Sequence, residues 1–112
     1  MPGSVEERID KLVHEHGVVL FMKGSPQFPQ CGFSQRVVAI LNTTGVPYAA
    51  VNVLLDQDIR EGIKAYANWP TIPQLYVKGE FVGGCDIVSE MYESGELSDL
   101  LASLGQAKGD DA

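Results

Sequence analysis

Val18-Val19-Leu20-Phe21-Met22 runs into Lys23-Gly24-Ser25-Pro26-Gln27-Phe28-Pro29-Gln30 and then into Cys31-Gly32-Phe33-Ser34. The first five residues are continuously apolar, as a strand buried on both faces requires. Two prolines and a glycine make the next eight a loop. From Cys31, helical spacing of Val37, Val38, Ile40 and Leu41 carries a helix to Thr44, with Gly45 as its stop. Residues 48–53 read as a second strand. A strand–helix–strand unit over residues 18–53 forces those two strands to lie parallel.

The flanking segments extend this unit. Ser4 and Glu7 form a capping box, and Val5, Ile9, Leu12 and Val13 recur at helical spacing, so residues 4–16 are expected as a helix closed by Gly17. Asp56 caps a helix over residues 57–67. Residues 71–77 read as a third strand broken early by Pro73, whose position implies an edge, a kink or a cis bond. Lys78-Gly79-Glu80 turns the chain into Phe81-Val82, and Gly83-Gly84 leads to helices near 86–94 and 96–104. The last eight residues, 105–112, read as a frayed, flexible tail. The expected fold class is α/β: a thioredoxin-like, four-stranded mixed sheet flanked by helices. With 112 residues the chain reads as one domain, its core over about residues 4–104.

Charge narrows the partners. Eight Lys and Arg stand against 15 Asp and Glu, a net charge of −7. With no basic run or face, neither nucleic acid nor an anionic membrane is expected as a partner. No apolar stretch has the length of a membrane span, and two cysteines are too few for a disulfide framework. The acidic start lacks the features of a signal or transit peptide. A reducing compartment is therefore expected, the cytoplasm or, after processing, an organelle matrix.

Cys31 carries the chemistry. Cys31-Gly32-Phe33-Ser34 has the spacing of a dithiol redox motif, but Ser34 takes the second cysteine's place. A serine hydroxyl forms neither thiolate nor disulfide, so attack by a second thiol within the motif is closed. At the first turn of a helix, unpaired N–H groups favour a thiolate, and Lys23 adds a positive charge. Such a sulfur works with an external thiol or binds a metal. A packed structural thiol is the plainer alternative, but Pro29, Gly32 and Ser34 make a poor core segment.

Three blocks now stand in order: Lys23 through Ser34, then Trp69-Pro70-Thr71-Ile72-Pro73-Gln74, then Gly83-Gly84-Cys85-Asp86. Together they resemble the signature of the monothiol, CGFS-type glutaredoxins over about residues 4–104, and most closely the single-domain members. The resemblance implies glutathione binding. Lys23 and Arg60 suit the glycyl carboxylate, with Lys64 one turn from Arg60 on the same face. Thr71 and Ile72, held open by a cis Pro73, would offer backbone groups to the tripeptide as an added strand. Phe33 would form pocket wall. Family positions map the γ-glutamyl end onto Gly84, Cys85 and Asp86, with Asp86 accepting from the ammonium. Plainer readings stand beside these: Asp86 as a helix cap, Arg60 and Lys64 as a solvated face, Gly83-Gly84 as a turn. Cys85 is open between a redox thiol, a packed small hydrophobe and a backbone contributor.

A 2Fe–2S cluster generally takes four thiolates. The resemblance implies a homodimer in which two copies of Cys31 and two glutathione thiols supply them, with the cluster passed to apo iron–sulfur proteins. It also implies heterodimers with BolA-like proteins. The rival expectation is an enzyme in which the Cys31 thiolate removes glutathione from protein mixed disulfides and a second glutathione regenerates it. A third is a switch through a Cys31–Cys85 disulfide.

Overall fold

The computed structural model describes residues 4–111, with side chains through residue 104. The order is α1 (Val5–Glu15), β1 (Val18–Met22), α2 (Gly32–Thr44), β2 (Ala49–Asn52), a 3-10 turn (Val53–Leu55), α3 (Gln57–Ala67), β3 (Gln74–Val77), β4 (Glu80–Gly83), α4 (Cys85–Ser94) and α5 (Glu96–Asp111). The four strands form one mixed sheet in the order β2-β1-β3-β4. β1 lies parallel to β2, Val19 opposite Ala49, and antiparallel to β3, Val19 opposite Tyr76.

The alternation of β1 builds two cores. Val18, Leu20 and Met22 face one side, where Val37, Val38, Ile40 and Leu41 of α2, Val88 of α4 and Leu97 and Leu101 of α5 close over them. Val19 and Phe21 face the other, against Ile9 and Val13 of α1 and Ile59 and Ile63 of α3. Period-two geometry sends successive side chains to opposite faces, so a strand covered twice is apolar throughout. The expected thioredoxin-like sheet with helices on both sides is the observed fold.

Local signals account for most boundaries. The capping box of α1 is complete: the Ser4 hydroxyl accepts from the Glu7 N–H and the Glu7 carboxylate accepts from the Ser4 N–H. Asp56 caps α3, accepting from the Ile59 N–H at 3.2 Å, and pairs with Arg8 of α1. The β3–β4 turn has positive φ at both Lys78 (56°) and Gly79 (80°), the conformation that joins twisted strands with two residues.

Three expectations are corrected. The second strand covers Ala49–Asn52, shorter than 48–53, because the Asn52 side chain accepts from the Leu54 N–H and starts a 3-10 turn. The third strand begins at Gln74 instead of residue 71. The Ile72–Pro73 bond is cis, and β3 is an inner strand, so of the three options for Pro73 the cis bond holds and the edge does not. The last helix, expected over 96–104, runs from Glu96 to Asp111.

Candidate functional site

At the end of β1 the chain curls tightly. Gly24 has φ +95°, and a Cβ there would lie 2.5 Å from the Phe28 carbonyl oxygen, so only glycine fits. The Gly24 N–H donates to Asn52 Oδ1 at 3.0 Å, and the Gln30 N–H to the Lys23 carbonyl at 2.8 Å. This curl delivers Cys31 as the N-cap of α2, its backbone extended (φ −152°, ψ 155°). The sulfur occupies the position an oxygen fills in most caps, and Sγ accepts from the Ser34 N–H at 3.3 Å.

Ser34 is fully buried. Its Oγ accepts from the Lys23 N–H at 3.1 Å and lies 3.3 Å from Cys31 Sγ. The rotatable hydroxyl accepts a hydrogen bond from the S–H when the sulfur is a thiol and donates one to it when it is a thiolate. Burial pushes the Cys31 pKa up, but hydrogen bonds from the Ser34 side chain and from the Ser34 and Phe33 backbone, with the Lys23 charge, hold it below the ordinary thiol value. Sequence reasoning assigned Ser34 only the loss of a resolving thiol. Its burial and its hold on the end of β1 depend on the fold.

Beside the sulfur lies a groove of about 610 Å³. Lys23, Phe33, Lys64, Thr71, Ile72, Pro73, Gly84, Cys85 and Asp86, from all three sequence blocks and α3, line it, with Trp69, Pro70 and Ile87. Cys31 is not itself in that lining; its neighbours Lys23 and Phe33 are, which puts the half-buried sulfur at the rim. Arg60 lies outside the lining, so of the two α3 cations Lys64 is the one the fold turns to the groove. Ile87 had no sequence signal beyond its place three residues after Gly84.

The walls differ in charge. Lys64 comes from α3 and Asp86 from α4, helices on opposite faces of the sheet. The N-cap of α4 is Gly84, with no side-chain cap, so Asp86 does not close its own helix and its carboxylate stays exposed in the first turn. Cys85 packs its half-buried side chain against the core while lining the groove. A Cβ on Gly84 would come within 3.2 Å of Trp69 Nε1 and 3.3 Å of the Pro73 carbonyl, so the absent side chain lets α4 approach the loop. Cationic ammonium groups, a carboxylate and free helix N–H groups in one groove fit a small zwitterion with more than one carboxylate.

The glutaredoxin family pattern matches residues 18–82. A monothiol glutaredoxin of Synechocystis (described as uncharacterized, ycf64-like) is 55% identical over 101 residues, covering 90% of this chain and 94% of that protein. The chain belongs to the monothiol glutaredoxins.

Other relatives of this glutaredoxin include human glutaredoxin-3, 55% identical over 98 residues, of which it spans only 29%, and a mitochondrial glutaredoxin-related protein 5 of Danio rerio, 54% identical, of which it spans 65%. The solution structure of reduced poplar apo GrxS14 superposes with a TM-score of 0.77 at 52% identity over 88% of this chain and 91% of that one. A buckwheat glutaredoxin–glutathione complex gives 0.80 at 25% identity over 90% of each chain. Relatives named as mitochondrial and chloroplastic both occur, and no described helix is long and apolar enough to cross a membrane.

Proposed function

We propose that this glutaredoxin binds glutathione in the groove and carries a 2Fe–2S cluster as cargo, bridged between two copies of the chain and delivered to apo iron–sulfur proteins. The observation that carries the reading is the pairing of Cys31 with a buried, hydrogen-bonded Ser34: a stabilised thiolate at the rim with no second thiol in its motif. Among the described residues no three His, Cys, Asp or Glu side chains converge, so one chain does not by itself supply the ligand set of a cluster. Two Cys31 thiolates and two glutathione thiols would make the four a cluster takes. Lys23 and the N-terminus of α2 would offset the anionic charge of that set.

Within the groove, Lys23 and Lys64 would hold the glycyl carboxylate, with Arg60 one turn away on α3 able to approach only by its long side chain. Thr71 and Ile72 would pair with the peptide backbone, Phe33 and Pro73 would flank the thiol arm, and Gly84, Cys85 and Asp86 would take the γ-glutamyl end. A BolA-like protein replacing one subunit around the cluster belongs to the same proposal. So does a reducing compartment, the cytoplasm or an organelle matrix.

Anaerobic reconstitution with iron, sulfide and glutathione tests it. A thiolate-to-iron absorption band on a dimer, lost without glutathione or in Cys31→Ser, is the expected result. A colourless monomer that still binds glutathione would overturn it. The lowered Cys31 pKa favours one second reading, a glutathione-dependent reductase of mixed disulfides. Robust turnover of a glutathionylated peptide by cluster-free protein would select it.

A further inference from the structure

Gln74 is the first residue of β3 and is completely buried. A buried amide is costly unless its polar atoms are paired. Both sides of this one are. Nε2 donates to the Trp69 carbonyl at 3.2 Å and to the Thr71 carbonyl at 3.1 Å, while Oε1 accepts from the Tyr76 hydroxyl at 3.0 Å. Carbonyls only accept, so the amide nitrogen must face the loop and its oxygen the tyrosine. Tyr76 is 1% exposed and fixed by the rings of Phe21, Tyr66 and Phe81, with centroids 5.5, 6.1 and 5.4 Å away. The aromatic core thus aims one hydroxyl, the hydroxyl aims one amide, and the amide holds two carbonyls of the loop.

That loop, from Trp69 to Pro73, is a part of the groove wall that belongs to no helix and no strand ladder. Two of its five residues are prolines without an N–H. The Thr71–Ile72 peptide is trans, since the cis bond is the next one. In a trans peptide C=O and N–H point in opposite directions. With the Thr71 carbonyl drawn inward to Gln74, the Ile72 N–H is turned away from the core, toward the groove side of the loop. Among the described residues it meets no backbone acceptor.

We propose that Gln74 is a positioning residue for ligand binding: through the Tyr76–Gln74–Thr71 relay it sets the plane of the Thr71–Ile72 peptide and so presents the Ile72 N–H to a peptide carbonyl in the groove. This rests on the glutathione reading above and assigns the part of the molecule that prepares one of its backbone contacts. Gln74 touches no ligand. Its effect passes through the loop.

Titration of the full 15N-labelled chain with glutathione tests this. In the unsubstituted protein the Ile72 amide should shift and become protected from exchange at saturation. Gln74→Leu, which removes the amide and leaves an apolar side chain of similar bulk, should weaken binding about tenfold, the loss of roughly one amide hydrogen bond. Ile72 should then stay unprotected even at saturating glutathione. A purely structural role would lower the urea midpoint but leave the saturated Ile72 amide protected. Gln74→Leu binding within about twofold of the parent, with Ile72 protected, overturns the inference. Should Gln74→Leu fail to fold, Tyr76→Phe decides: removal of that hydroxyl alone should weaken binding by about two- to fivefold, and unchanged affinity overturns the proposal. If the unsubstituted protein itself does not bind glutathione, the glutathione reading fails and this inference falls with it, an outcome distinct from loss of the Gln74 effect alone.

Discussion

Cys31 and Ser34 are three residues apart, yet what they do together depends on Lys23, eleven residues before Ser34 along the chain. The Ser34 hydroxyl is both a tether for the end of β1 and the first side-chain donor to the thiolate. Ser34→Ala should therefore raise the Cys31 pKa, moving the pH profile of iodoacetamide alkylation to higher pH, while leaving the cluster ligand in place. A profile identical to the parent's would remove Ser34 from the activation of the sulfur. The same depression has a signed effect on stability. Cys31 has a lower pKa folded than unfolded, so its contribution is fully present above the unfolded thiol's pKa and is lost as pH falls through the folded value. The Tm difference between the parent and Cys31→Ser should accordingly grow with rising pH across that window. Legibility at this scale was partial. The stabilised thiolate could be read from Cys31 at a helix start, whereas the buried, bridging hydroxyl could not, because serine at that spacing is equally at home on a surface.

Among the elements, α1 and α3 show local preference yielding to packing. Gly62 sits inside α3, where alanine would ordinarily add about 1 kcal/mol to helix stability. Here a Cβ would lie 2.2 Å from Val5 Cγ1 and 3.2 Å from Ile9 Cδ1 of α1. Overpacking of this kind costs roughly 1–3 kcal/mol, so Gly62→Ala should lower the urea midpoint despite the propensity gain. A raised midpoint would mean that α1 moves aside freely. The two helices are also joined by the Arg8–Asp56 pair and by the Tyr66 hydroxyl donating to Asp10 at 2.8 Å. Burial, with the Asp10 carboxylate, pushes the Tyr66 pKa up to about 12, so this contact persists through the neutral range. Helix starts were legible because Ser4 and Asp56 cap locally. The start of β3 was not, because Thr71 and Ile72 have strand-like side chains, whereas the loop they occupy is held by Gln74 through the Trp69 and Thr71 carbonyls.

For the whole molecule, the sheet is a shared wall between two cores, and β1 is its centre. Leu20 has no exposed surface and belongs to the core under α2, α4 and α5. Leu20→Ala should cost about 2–5 kcal/mol in denaturant unfolding. Val19→Ala, on the opposite core, should cost somewhat less, since fewer methyl groups are removed. If the two cores are one cooperative unit, both substitutions should shift the far-UV and tryptophan transitions together; separated transitions would mean the faces unfold independently.

The sequence by itself determined the α/β order, the doubly buried central strand, the lone thiol at a helix start and the three blocks that mark a monothiol glutaredoxin. Each depends on period, capping or spacing within a few residues. Only the tertiary structure decided that Lys64 lines the groove and Arg60 does not, that Asp86 leaves its helix uncapped, and that Pro73 is cis before an inner strand. It alone decided that Gln74 holds the loop from behind. These depend on which surfaces of α3, α4 and the sheet meet, and contacts between residues far apart in the chain follow from packing as a whole, not from any local run.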